Sequence, residues 1–183
     1  MGKGDALLTF RSIDKAFGRT VALDGVDLDV LAGQVHVLAG ENGAGKSTLV
    51  KILMGVEKAD RGEMRWKGRP HRPHNPADAH RRGIAMIYQE LNLALHLPVY
   101  ANVFLGREQR RYGFICESVE KRRTTELLER LGVDIDPTIP ARRLGIAQRQ
   151  LVEIARALGA DAELIVMDEP TAALSEQESQ NLF

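Results

Sequence analysis

The chain has 183 residues with 25 basic and 25 acidic side chains, a formal net charge of zero at pH 7. This length suffices for one domain with a sizeable core, and nothing in the charge balance argues for long-range attraction to nucleic acid or to an anionic membrane. A single cysteine, Cys116, excludes an intrachain disulfide and suits a reducing compartment, and neither a signal-type apolar core at the N-terminus nor a membrane-length apolar run is present.

In chain order, residues 7–38 read as β-rich, with Val26, Leu28 and Val30 alternating with Asp27 and Asp29 at the period of a half-buried strand. Gly33 marks a turn into residues 34–39, an apolar-rich run of strand type, and residues 46–54 read as a helix with Leu49, Ile52 and Leu53 on one face and Gly55 as its stop. Residues 60–68 read as a turn and a short strand pair, and the proline-rich stretch 69–76 as a loop. A short helix is expected over 76–82 and a buried strand over 84–88, ending at Gln89. Residues 90–143 are expected to be mostly helical, most clearly over 118–131, and a second clear helix over 148–158 carries Leu151, Ile154, Ala155 and Leu158 on one face. Residues 164–167 read as another buried strand, and Ser175-x-x-Glu178 has the form of a capping box opening a further helix.

Between the strand-type run and the first helix stands Gly40-Glu41-Asn42-Gly43-Ala44-Gly45-Lys46-Ser47-Thr48, the phosphate-binding pattern G-x-x-x-x-G-K-[ST] in its strand-to-helix context. The three glycines allow backbone conformations closed to residues with a Cβ, so successive N–H groups can converge on phosphate oxygens. The start of the helix adds its positive end. Lys46 reaches the β- and γ-phosphates and the Ser47 hydroxyl binds Mg²⁺. The apolar run 164–167 followed by Asp168-Glu169 has the matching Walker-B form: Asp168 would hold Mg²⁺ through water, and Glu169 would orient and polarise the attacking water.

These motifs resemble the ABC-type ATPase family. Gln89 matches the glutamine that in that family touches Mg²⁺ and senses the membrane partner. Leu144-Gly145-Ile146-Ala147-Gln148 occupies the signature position, Ala172-Ala173-Leu174-Ser175 that of the D-loop, and Phe17 that of the aromatic stacking on adenine. The separation of Lys46 from Asp168, 168 − 46 = 122 residues, leaves room for the family's helical insertion. Within the family, the phrases His36-Val37-Leu38-Ala39-Gly40-Glu41-Asn42, Ile87-Tyr88-Gln89-Glu90-Leu91-Asn92-Leu93, Asn102-Val103-Phe104-Leu105-Gly106-Arg107-Glu108 and Gln148-Arg149-Gln150-Leu151-Val152-Glu153-Ile154-Ala155-Arg156-Ala157-Leu158 are most similar to the ATP-binding subunits of bacterial monosaccharide importers. That group carries two ATPase halves in one polypeptide, and the chain looks like the first of them, ending short of the family's switch histidine.

The resemblance implies an α/β phosphate-loop ATPase with a mainly parallel core sheet, an antiparallel β subdomain and a helical arm. The whole would form one incomplete ATPase domain, with its core over 1–89 and 159–183 and a helical subdomain over about 90–158. It implies ATP and Mg²⁺ as cofactors, and a second ATPase half, in the same polypeptide or in a homodimer, closing head to tail on this one. Transmembrane permease subunits would dock on segment 90–105, a periplasmic sugar-binding protein would act indirectly, and no nucleic acid would be bound. The protein would sit peripherally at the cytoplasmic face of the inner membrane. The rival readings are a soluble ATPase of the same family acting on DNA or ribosomes, and a nucleotide-binding half without turnover. The second draws on two departures: the chain lacks the family's switch histidine, and Gly145 stands where the signature normally has a serine whose hydroxyl bonds the γ-phosphate held by the opposite half.

Other features read as structural. His71-x-x-His74 lacks a third metal ligand nearby, Trp66 reads as a packing residue, and Cys116 gives no nucleophile signal. Arg81-Arg82, Arg110-Arg111, and Lys121-Arg122-Arg123 with Glu117, Glu120, Glu126 and Glu129, read as solvated surface charge.

Overall fold

The computed structural model describes residues 6–88 and 91–168. The chain divides into two compact units, 1–82 and 83–183.

In the first unit, β1 (Ala6–Phe17) and β2 (Thr20–Leu31) form a long hairpin, followed by α1 (Lys46–Leu53), β3 (Arg61–Trp66), β4 (Arg69–Pro70) and α2 (Pro76–Arg81). The four strands make an antiparallel sheet in the order β2-β1-β3-β4. The alternation along β2 holds: Val26, Leu28 and Val30 are half-buried while Asp27 and Asp29 face solvent. Leu8, Phe10 and Ile13 of β1, Leu23 of β2, Trp66 of β3, and Leu49, Ile52 and Leu53 of α1 are buried, each contributing on the order of 1.5–3 kcal/mol through its apolar surface. Trp66 also donates its indole N–H to the Arg82 carbonyl at 2.9 Å, which fixes the end of α2. α2 starts at Pro76 as expected, and Asn75, within the stretch read as a loop, caps it by accepting the Asp78 N–H at 2.9 Å.

Two expectations for this unit are corrected. Residues 34–39 are not a strand, and Val35 and Val37 are largely exposed, because a strand exists only when its N–H and C=O groups find a neighbouring ladder, and no described residues pair with this run. Within the stretch read as a loop, Arg69 and Pro70 pair with β3.

His71, just beyond β4, is fully buried, and its Nε2 lies 3.0 Å from the Leu53 carbonyl at the end of α1 while Nδ1 has no partner among the described residues. The carbonyl can only accept, so Nε2 carries a proton, and burial of the ring favours its neutral form. Burial pushes its pKa below the ordinary histidine value, against the opposing pull of the Leu53 hydrogen bond. A depressed histidine pKa gives stability that is complete above the unfolded-state value, about 6.5, and is lost as pH falls through the folded value. Urea unfolding between pH 7.5 and 5.5 is expected to show wild type losing more stability than His71→Gln. Equal losses would mean that His71 does not carry this dependence.

In the second unit, β5 (Ile84–Ile87) is followed by α3 (Val99–Val103), a tight hairpin of β6 (Arg110–Arg111) and β7 (Phe114–Ile115), α4 (Glu117–Arg130), α5 (Ile146–Leu158) and β8 (Leu164–Met167). β5 and β8 pair in parallel from Ile84↔Leu164 to Ile87↔Met167, and the Asp168 N–H donates to the Ile87 carbonyl at 3.1 Å. Val103 and Phe104, Leu128 of α4, and Leu151, Val152 and Ile154 of α5 form one apolar cluster with Ile87.

Here too the sequence reading needs correction. Residues 90–143 are not mostly helical: α3 and α4 are joined by the hairpin, and a single 3₁₀ turn, Ala141–Arg143, precedes α5. Tyr112 and Gly113, with φ of 52° and 86°, make the hairpin turn, and the tertiary fold places extended backbone where helical residue types had suggested a helix. β8 is half-buried rather than buried. Helix α5 begins at Ile146, two residues earlier than expected, so Ile146, Ala147 and Gln148 lie in its first turn. Glu120 does not join the solvated face of α4: it is buried and accepts the Gln109 N–H at 2.8 Å. Arg110, Arg111 and Arg122 are exposed and Arg123 is half-buried.

Candidate functional site: the phosphate loop and the signature helix

The phosphate loop leads directly into α1. Gly45 caps the helix with φ 87°, and a Cβ there would lie 2.4 Å from the Ala22 carbonyl oxygen and 2.7 Å from Leu23 Cδ2. Backbone conformation and close packing on β2 therefore both require glycine at this position. Gly43 has φ 89°, but a side chain there would meet open space. The Ala44 N–H donates to the Glu41 carbonyl at 3.1 Å, closing the turn. Gly40, Glu41, Asn42, Gly43, Ala44 and Ser47 are exposed; Gly45, Lys46 and Thr48 are half-buried.

The Lys46 ammonium curls over this loop, donating to the Gly40 carbonyl at 2.6 Å and the Glu41 carbonyl at 2.9 Å. Both partners are neutral; no carboxylate among the described residues pairs with it. A cation held at the mouth of an exposed glycine loop, at the N-terminus of a helix, is a site shaped for a phosphate group. Ser47, next in the chain and exposed at the first turn of α1, suits a metal ion bound beside that phosphate.

Phe17 lies at the end of β1, about half exposed, with the Lys15 ammonium 5.1 Å from its ring centroid. Lys15 is itself held by Asp60 at 3.3 Å and by Glu57 at 3.8 Å. The Ala16 N–H donates to Asp60 at 2.8 Å, the chief cause of that carboxyl's lowered pKa.

In the second unit, Leu144 is buried and anchors the start of the signature, Gly145 caps α5 in extended conformation, and Ile146 is exposed. A glycine has no side-chain cap to give, so half a capping box operates: Gln148 Oε1 accepts the Gly145 N–H at 3.2 Å. Asp168 stands at the end of β8, exposed, as a Walker-B aspartate would. Gln89, Glu169, the D-loop positions Ala172, Ala173, Leu174 and Ser175, and the Ser175–Glu178 capping box lie outside the described residues.

The structure also contains polar anchors that the sequence reading did not single out. Asn102 on α3 is fully buried; its Oδ1 accepts the Ala94 N–H at 2.7 Å, and its Nδ2 donates to the carbonyls of Ala94 at 3.1 Å, Leu97 at 3.3 Å and Pro98 at 3.1 Å. Glu153 on α5 is buried and accepts the Asn92 N–H. An asparagine or glutamate on the inward face of an apolar helix is the one signal in the sequence that pointed to either.

A glycine-rich loop capping a helix in the first unit, and an aspartate following a parallel strand and a glycine opening a helix in the second, are each features found in α/β nucleotide-binding cassettes. The ABC transporter family profile matches residues 23–172, and the chain belongs to that family. Among relatives, the ribose import ATP-binding protein RbsA 1 of Rubrobacter xylanophilus is 54% identical over 177 residues, covering 97% of this chain and 36% of that protein. A putative ribose/galactose/methyl galactoside import ATP-binding protein of Ralstonia nicotianae is 52% identical, covering 98% and 35%. The chain thus spans about a third of the length of the curated relatives it matches. Among solved structures, the ADP conformation of MJ1267, an ATP-binding cassette of an ABC transporter, superposes with a TM-score of 0.82 at 30% identity, covering 97% of this chain and 74% of that one. No described helix is long and apolar enough to cross a membrane.

Proposed function

We propose that this chain is the first ATP-binding and ATP-hydrolysing half of a subunit that powers import of a sugar. The observation that carries the reading is its similarity, at 54% and 52% identity over nearly its whole length, to proteins named for ribose and galactose import. The same names weigh against a role on DNA or ribosomes. The protein works peripherally at the cytoplasmic face of the inner membrane, against permease subunits fed by a periplasmic sugar-binding protein, and pairs head to tail with a second ATPase half. One ATPase domain, its core over 1–89 and 159–183 and its helical part over about 90–158, carries the chemistry.

In this reading the phosphate-loop N–H groups and Lys46 hold the β- and γ-phosphates of ATP, and Phe17 stacks on the adenine. Ser47, Gln89 and Asp168 are the residues that would hold Mg²⁺, which neutralises phosphate charge when bound. Glu169 orients water for in-line attack on the γ-phosphate, with Gln89 beside it. The signature Leu144–Gln148 meets the nucleotide bound by the opposite half. The direct test is ATP-dependent uptake of ribose, galactose and xylose by proteoliposomes containing the full-length protein and its permease. Failure to transport any of them, with ATP turnover intact, would overturn sugar import.

Gly145 favours a second reading, in which the ATP site that this signature faces turns over slowly. Its φ of −66° and ψ of 168° suit any residue, and an added Cβ meets no atom of the described residues within 4 Å. Gly145→Ser should therefore fold normally, within a few tenths of a kcal/mol, as an exchange of one good N-cap for another. It adds one hydroxyl donor toward the partner's γ-phosphate, so turnover is expected to rise by up to about tenfold if one net hydrogen bond is gained. Nucleotide trapping with each phosphate-loop lysine disabled in turn would locate the gain. No change at the partner site would mean that the backbone there suffices.

A further inference from the structure

Loop 91–98, which follows Gln89 in the chain, is gripped by the elements that carry the signature. At its start, Asn92 is held from α5 at both polar ends of its backbone: Glu153 accepts its N–H, and Arg156 Nη1 lies 3.5 Å from its carbonyl oxygen. Farther along, Asn102 closes the loop on itself through Ala94, Leu97 and Pro98. At its end, the N–H groups of Ala141 and Arg142, in the 3₁₀ turn before the signature, donate to the carbonyls of Leu97 at 3.0 Å and Leu95 at 2.9 Å.

Glu153 is the costly member of this set. It sits eight residues beyond Gly145 on α5, among buried Leu151, Val152, Ile154 and Ala155. A carboxylate there loses its hydration, and burial raises its pKa. An apolar side chain would fill the place without that cost but would offer nothing to the Asn92 N–H. What the carboxylate supplies is a directional link between one backbone N–H in the loop and the helix that begins at the signature.

We infer that Glu153 is a positioning residue that makes loop 91–98 and the signature end of α5 move as one body, so that displacement of the loop by a membrane partner shifts Gly145 with it. The mechanical part stands on the contacts above; the link to a membrane partner rests on the importer reading. Two measurements on the full-length protein separate them.

The first uses spin labels at two exposed positions, Leu95→Cys and Ile146→Cys, with Cys116→Ser and any further cysteines replaced. Pulsed electron–electron distance measurements should give one narrow distribution, unchanged by Mg-ATP, in wild type and in Glu153→Gln, which keeps the acceptor oxygen. In Glu153→Ala the distribution should broaden or split. A narrow distribution in Glu153→Ala, or a broad one in the otherwise wild-type pair, overturns the inference whatever the protein transports.

The second compares ATP turnover with and without sugar-loaded binding protein in proteoliposomes, below the melting temperature of each variant. Glu153→Ala should retain basal turnover within about twofold while its stimulation falls at least fivefold, and Glu153→Gln should restore it. Equal loss of basal and stimulated rates would assign Glu153 a merely structural role and overturn the inference. Wild type without any stimulation would fail the importer reading, and the distance measurement would still decide Glu153.

Discussion

In the full-length protein, Glu169→Gln is expected to keep Mg-ATP bound while turnover falls by about a hundredfold or more, the scale of a lost general base or water-orienting group. Lys46→Ala should do the reverse in the binding assay. The Lys46 ammonium donates to the Gly40 and Glu41 carbonyls, so it is already held at the mouth of the loop by groups that carry no charge. A phosphate replaces these neutral acceptors with charged ones, and charge-assisted hydrogen bonds are each worth roughly 1.5–3 kcal/mol. Removing the ammonium should therefore weaken ATP binding by about tenfold to a hundredfold. Nucleotide titration and steady-state phosphate release, run on both variants, separate the two roles. Normal turnover in Glu169→Gln would remove Glu169 from the mechanism, and unchanged ATP affinity in Lys46→Ala would remove Lys46 from phosphate binding.

The second large effect is structural. Gly45→Ala should destabilise the protein by about 2–4 kcal/mol, combining an L-residue held in the left-handed region with a Cβ forced into neighbouring atoms. The obstacle is the backbone of β2, since the new carbon would lie 2.4 Å from the Ala22 carbonyl oxygen. β2 pairs with β1 on either side of Ala22, at Leu23 and Val21 across a register shift, so this carbonyl is held between two paired residues and does not move freely. Gly43→Ala is the internal control: it has the same sign of φ but no atom of the described residues within 4 Å, so only the conformational cost of about 1 kcal/mol applies. Urea unfolding of the two variants should rank them in that order. ATP affinity should fall further in Gly45→Ala, because a shifted loop no longer aims its N–H groups together. Equal stabilities for the two would contradict the packing of the loop on β2.

The phosphate loop could be read from the sequence because its chemistry is contiguous. Nine consecutive residues carry the glycines, the cation and the hydroxyl, and the helix they open follows from local apolar spacing. The same holds for α2, whose start is written in Pro76, and for α4 and α5, whose inward faces repeat at helical spacing. Residues 34–39 mark the limit of that reasoning. They have the composition of a strand, but a strand is a property of a pair, and pairing depends on residues far away in the chain. The hairpin at residues 110–115 shows the same limit in reverse: its turn depends on positive φ at Tyr112 and Gly113, which no apolar period announces.

The buried polar groups belong wholly to the tertiary structure. Glu120, Glu153 and His71 have the residue types of a solvated face, a helix surface and a metal pair. Each is instead buried against one backbone group: the Gln109 N–H, the Asn92 N–H and the Leu53 carbonyl. Those partners lie 11, 61 and 18 residues away in the chain. Local sequence states that a side chain can accept or donate a hydrogen bond. Which distant backbone atom arrives without a partner, and so makes burial of that side chain favourable, is decided only when the whole chain has packed.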